Sequence, residues 1–128
     1  MLKSICLHIN DLCNLNCVHC WSNSGPEGKH ELSDIDIIRF ASILKPLGLQ
    51  RISLSGGEPV LHSNIFEIVK NLINAQLLVI LTTNGTVPKY ISKLLSQLSK
   101  NQLKYLEIRV SIDGPEIICN KLRGDGVY

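Results

Sequence analysis

Apolar residues along the chain fall into short alternating runs separated by longer runs with helical spacing. Lys3–Ile9 reads as a first strand, with Ile5, Leu7 and Ile9 on one face and Cys6, His8 and Asn10 on the other. Ser22–His30 carries Gly25, Pro26 and Gly28 and reads as loop. A helix starts near Ser33, whose hydroxyl suits a cap, with Asp34 and Asp36 favouring its positive end; Pro46 and Gly48 stop it. Arg51–Ser55 is a second strand, with Ile52 and Leu54 opposite Arg51, Ser53 and Ser55. A helix follows from about Asn64 to Asn74, with Asn64 and Glu67 spaced as a capping box. Leu77–Thr83 is a third strand, and Pro88 opens a third helix striped by Ile91, Leu94, Leu95 and Leu98. In the fourth strand, Tyr105–Ile112, Leu106, Ile108, Val110 and Ile112 oppose Glu107, Arg109, Ser111 and Asp113.

Strands alternating with helices predict an α/β fold with a parallel sheet. A sheet covered by helices on both faces has continuously apolar strands, and three of these four do not. The pattern predicts helices over one face and, on the other, a polar concave surface carrying Cys6, His8, Ser53, Ser55, Glu107, Arg109 and Ser111. That is the geometry of a partial parallel (β/α) barrel; a sheet with one solvated face is the alternative. The four strand ends lead into Cys13–Cys20, Gly56-Gly57-Glu58-Pro59, Thr83-Asn84-Gly85 and Ser111–Gly114. Ligands sit at the C-terminal strand ends of parallel βα folds, so one composite site is expected there.

Composition narrows the partners. The chain has 128 residues, 45% hydrophobic and 5% aromatic, so the core must be mostly Ile, Leu and Val. A net charge of +2 gives no basis for nucleic acid or an anionic membrane as main partner. No signal-peptide core is visible, and Leu77–Leu81 is far too short to cross a bilayer. Five cysteines, an odd number, argue against a disulfide framework and for a reducing cytoplasm.

Three of those cysteines, Cys13, Cys17 and Cys20, stand in a C-x3-C-x2-C run, Cys-Asn-Leu-Asn-Cys-Val-His-Cys. Three thiolates on one loop can hold three corners of an iron–sulfur cluster and leave one iron open. The same spacing with His19 also fits a Cys3His zinc site. Spacing alone leaves both open.

C-N-L-N-C-V-H-C, then G-G-E-P, T-N-G, S-I-D-G-P and R-G, in that order, resemble the radical S-adenosylmethionine (SAM) superfamily over nearly the whole chain, and within it the peptide-modifying, sulfatase-maturating branch. The resemblance implies a [4Fe–4S] cluster on Cys13, Cys17 and Cys20. SAM would sit on the open iron and be cleaved reductively to a 5′-deoxyadenosyl radical that abstracts a substrate hydrogen. It further implies a reductant such as a flavodoxin or ferredoxin and a peptide or small-molecule substrate.

By the same resemblance, His19 stands near the adenine or packs the loop. Gly56 and Gly57 bring backbone to the methionyl group, with Pro59 completing the tetrapeptide, and Glu58 accepts from an ammonium or fixes the loop. Ser111 touches SAM, and Asn84 faces the cavity or forms the turn with Gly85. Arg123 pairs with the SAM carboxylate or is a solvated surface residue. Asp113 holds the turn at Gly114. Cys6 is expected to be small and buried, and His8, His30 and His62 to be ordinary polar positions. The family's usual His-Asp pair is replaced by Cys119-Asn120.

Against six βα units in the family core, the chain offers about four strands and three helices. Residues 1–128 therefore read as a single incomplete core domain. The fourth strand's edge is expected to self-associate or meet a partner chain. The alternative function is a non-catalytic iron–sulfur or zinc-binding fragment or subunit that needs a partner to complete the barrel.

Overall fold

Four short strands line up in the order in which the chain makes them. The computed structural model describes residues 2–128. Strand β1 is Ser4–His8, β2 Arg51–Ser55, β3 Leu78–Thr83 and β4 Leu106–Val110, all parallel and in spatial order β1-β2-β3-β4. Helix α1 is Asp34–Leu44, α2 Ile65–Asn74, α3 Pro88–Ser96, α4 Lys100–Leu103 and α5 Glu116–Arg123. A sheet that grows in one direction, with crossovers of one hand, lays its helices on one face; a doubly wound sheet must reverse direction to cover both. The topology is thus that of a barrel segment, as the sequence predicts.

The register shows which face is which. Ile5, Ile52, Val79 and Leu106 form one cross-strand row, and Leu7, Leu54, Leu81 and Ile108 another. All of these except Ile108 join the core with Ile37 and Ala41 of α1, Ile68, Val69, Leu72 and Ile73 of α2, and Leu94 of α3. The opposite face carries the row Cys6, Ser53, Ile80 and Glu107, and then Thr82 beside Arg109. Cys6 and Arg109 are exposed there, so Cys6 is not the buried residue expected. Ile80 is buried even on this face, consistent with the unbroken apolar run of β3 in mid-sheet.

Local signals explain the helix starts. Ser33 caps α1, its hydroxyl accepting from the Asp36 N–H at 3.1 Å, and Gly48 takes a left-handed φ of 102° after the Pro46 turn. The capping box expected at Asn64 and Glu67 does not form: Asn64 donates its own N–H to His62 Nδ1 (3.1 Å), and its side chain makes no cap bond. The capping box lies instead at Ser99 and Gln102, opening α4. Helices α4 and α5 add to the three expected. The first is only four residues long, too short to show a period. The second is eight residues long, buries only Cys119 and leaves Ile117 81% exposed.

The face assignment predicts unequal costs. Leu54→Ala, at a fully buried site, is expected to lose about 2–5 kcal/mol of unfolding free energy. Cys6→Ala, on the helix-free face, should stay within about 0.5 kcal/mol. Urea unfolding checks both, and equal losses would refute the assignment.

Candidate cofactor site

The end of β1 is stitched to the rim before the cysteine loop begins. Ile9 N–H donates to Ser55 O (2.8 Å), Gly57 N–H to Asn10 O (2.7 Å) and Glu58 N–H to Leu12 O (2.8 Å), while Asn10 Nδ2 donates to Glu58 O (3.0 Å). The Gly56-Gly57-Glu58-Pro59 segment therefore continues the pairing of β2 with the chain leaving β1. Glycine is required by this approach. A Cβ on Gly57 would lie 2.4 Å from Leu12 O, and one on Gly56 2.1 Å from Asn10 Oδ1. Asn10 Oδ1 is buried and has no hydrogen-bond partner.

Glu58 is completely buried. Its carboxylate accepts from the Asn84 N–H at 2.7 Å and the Val60 N–H at 3.4 Å. Of the two roles expected for Glu58, the structure shows the loop-fixing one: it joins the ends of β1, β2 and β3. Burial pushes its pKa up, and the donors, led by the Asn84 N–H, only partly offset this. Pro59 is buried beside it.

The cysteine loop is closed at its base. Cys13 N–H donates to Gly25 O (3.0 Å), Gly25 N–H to Asp11 O (3.2 Å), and the Asp11 carboxylate accepts from His30 N–H (2.8 Å). Cys13 is buried; its sulfur accepts from Leu15 N–H (3.4 Å) and lies 3.8 Å from Asn84 Nδ2. Asn84 also donates to Asn14 Oδ1 (3.0 Å) and accepts from Thr86 N–H (2.9 Å), so it both forms its turn and reaches the cysteine loop. Cys20 Sγ lies 3.4 Å from Ser22 Oγ. Burial raises the thiol pKa of Cys13 and of Cys17, the latter opposed by the Arg123 guanidinium. At Cys20 burial also pushes upward, but hydrogen bonds from the Ser22 side chain and the backbone of Ser24, Ser22 and Asn23 outweigh it and bring the thiol below its usual value.

All five cysteines are free thiols. Among the described residues, no group of three or more His, Cys, Asp or Glu side chains is close enough to hold one metal ion. Cys13, Cys17 and Cys20 are thus not gathered as a single-ion site. A cubane takes each thiolate to a different iron and needs only three protein ligands, whereas a structural zinc gathers four on one ion. His19, the fourth zinc ligand in the alternative, points its Nε2 toward Asp113 at 3.5 Å.

Beyond β4, Ser111 N–H pairs with Thr83 O (2.9 Å), and Ser111 shares with Asn84, Cys119 and Tyr128 the wall of a cavity of about 340 Å³. Arg123 is not the solvated surface residue of the second expectation: its side chain is 12% exposed and forks onto the Asp113 carboxylate, which its hydrogen bonds hold below the usual range. Asn120 accepts from the N–H groups of Val127 and Tyr128 and so ties down the chain after α5, while Cys119 beside it is buried. Sequence reasoning missed Asn10 and Trp21. Trp21 is 83% exposed and meets the His8 ring edge-to-face at 5.4 Å. Its place directly after Cys20 was the available signal.

The sequence profile of the radical SAM superfamily matches residues 7–127. The chain belongs to that superfamily. Its cofactors are accordingly a [4Fe–4S] cluster and SAM. The chain is 38% identical over 97 residues to a probable GTP 3′,8-cyclase of Methanothermobacter thermautotrophicus, covering 75% of this chain and 32% of the relative. It is 30% identical over 129 residues to the mycofactocin maturase MftC of Mycolicibacterium smegmatis, covering 97% and 31%. It therefore spans about a third of the length of these curated relatives. The crystal structure of Streptococcus suis SuiB bound to precursor peptide SuiA shares the fold, with a TM-score of 0.78 at 20% identity over 94% of this chain and 27% of SuiB. SuiB bound to SAM gives 0.76 at 19%, over 94% of this chain and 28% of SuiB. No helix among the described residues is long and apolar enough to cross a membrane.

Glu58 gives this rim a pH signature. Its raised pKa makes the folded chain hold a proton that the unfolded chain releases. Its contribution to stability is full below the ordinary value of 4.5 and is lost as the pH rises through the raised folded value. Unfolding free energies followed from about pH 4 to pH 8 should fall in the wild type relative to Glu58→Gln, and parallel profiles would contradict the burial argument. Glu58→Ala, which strips the acceptor from Asn84 N–H, should cost about 1–3 kcal/mol.

Proposed function

We propose that Cys13, Cys17 and Cys20 hold the cluster and that the rim around them receives SAM. The observation that carries this is the loop: three free cysteines on one segment closed onto the end of β1, with Cys6 on the sheet and Cys119 inside α5. When bound, the cluster would pass one electron from an external reductant into the sulfonium of SAM, breaking its bond to the 5′ carbon to give methionine and a 5′-deoxyadenosyl radical that takes a hydrogen atom from the substrate.

The chain's own residues orient these partners. Asn84 faces Cys13 Sγ and can donate to a ligated thiolate. Gly56 and Gly57 offer backbone without side chains at the site's edge, and Ser111 lines the neighbouring cavity beside Asn84. His19 flanks the loop for adenine contact. Glu58 acts through the rim it fixes.

We infer that residues 1–128 form one unit of a radical SAM core, acting in a reducing cytoplasm with a flavodoxin- or ferredoxin-class reductant. A peptide substrate is supported by the likeness to a maturase and to SuiB with its precursor peptide; a small molecule is supported by the likeness to a GTP cyclase. The β4 edge carries exposed Val110 and Ile112 and is the natural place for a further strand, a partner chain or a second copy.

Anaerobic reconstitution tests the cluster reading. About four irons and four labile sulfides per chain are expected. Cys17→Ala should lose most of both, and stoichiometric zinc without sulfide would defeat the proposal. In SAM titration, cleavage assays and size-exclusion chromatography, we expect weak SAM binding, slow turnover and self-association, because hydrogen abstraction needs close positioning by walls that these four strands do not supply. Tight binding and fast cleavage by a monomer would contradict that.

A further inference from the structure

The tip of the cysteine loop is held by the segment that follows β4. Val18 and His19 lie between Cys17 and Cys20, and their neighbourhood is not secured by apolar burial: Val18 is 78% exposed and Trp21 83%. Two polar contacts hold it instead. Val18 N–H donates to Leu122 O at 3.0 Å. His19 Nε2 lies 3.5 Å from Asp113 Oδ2. Asp113 is gripped in turn by Arg123, whose Nε and Nη2 both donate to its carboxylate, the latter at 3.1 Å. The side chains of Arg123 and Asp113 are 12% and 22% exposed, and the two donors of the guanidinium fit the two oxygens of the carboxylate. An exposed pair such as Glu107–Arg109, 44% and 57% exposed, has no such shelter.

Resting on the cluster reading above, we propose that Asp113 and Arg123, acting through His19 and the Val18–Leu122 bond, form a latch that fixes the tip of the cysteine loop and holds Cys17 and Cys20 where a cluster needs them. Both are positioning residues. The carboxylate is the centre of the latch, because it faces the loop on one side and α5 on the other. Arg123 also sets a permanent positive charge near Cys17. A cation beside a cluster favours its reduced, more negative form. The latch thus predicts a mechanical effect shared by both residues and an electrical effect tied to the arginine charge.

The test uses the full chain with Asp113→Asn, Arg123→Gln, Arg123→Lys and the Asp113→Asn/Arg123→Gln double variant. In the metal-free protein, hydrogen exchange at the Val18 amide should speed up about tenfold in the single variants while the core strands exchange at wild-type rates. After anaerobic reconstitution, iron release to a chelator should also be about tenfold faster, and the double variant should be no worse than the singles. Arg123→Lys keeps the charge but loses the fork, so it should show faster exchange with a nearly unchanged cluster potential. Arg123→Gln should shift that potential to more negative values. Wild-type exchange at Val18 in every variant overturns the latch whether or not a cluster assembles. Fast Val18 exchange in the variants, with no labile sulfide in the wild type, supports the latch and removes the cluster reading. Arg123→Lys carries the test if the Asp113 variants fail to fold.

Discussion

Glu58 places a carboxylate where no water reaches it, and the rim of the sheet is organised around that choice. Parallel strands end without hairpins to join them, so their exits have no intrinsic reason to stay together. Here the Asn84 N–H at the end of β3 and the backbone beyond β1 converge on one residue at the end of β2. Desolvation opposes the charge, and the N–H donors offset only part of that cost. A buried carboxyl group with fixed N–H donors tolerates few alternative arrangements, and geometric definition is what a cofactor rim requires.

The stitching of β1 to Gly57 and Glu58 follows from the same constraint. Glycine at 57 leaves room for the Leu12 carbonyl, and the cysteine loop therefore leaves from a fixed point. From there the loop becomes less secured along its length. Its base is tied by Gly25 and Asp11, Cys13 is buried, and the stretch from Val18 to Trp21 is largely exposed. Such a gradient suits a loop that must admit a bulky inorganic group and then hold it.

The alternation of Ile52 and Leu54 with Ser53 and Ser55 was enough to separate the two faces, because a strand's two-residue period maps directly onto burial. The rim motifs were legible for a similar reason: each follows a strand, and the topology sends all parallel strand ends to one side. What the sequence could not show depends on partners distant along the chain. Asn64 looks like a cap until His62 takes its N–H. Arg123 looks like a free cation, because nothing local says that Asp113, ten residues earlier, will fold back to meet it. Helix α5 is only eight residues long and buries only Cys119, too short a segment for a helical period to stand out after Asp113-Gly114-Pro115.

Trp21 has a consequence outside the chemistry. It is the only tryptophan of the chain, and it stands one residue past Cys20, edge-to-face with His8 and open to solvent. Indole emission from this protein therefore originates entirely at the junction of the cysteine loop and the helix-free face. The core, built of Ile, Leu and Val, contributes none. The molecule carries its own optical label beside the cysteine loop, where a bound group or a shifted loop would change its surroundings.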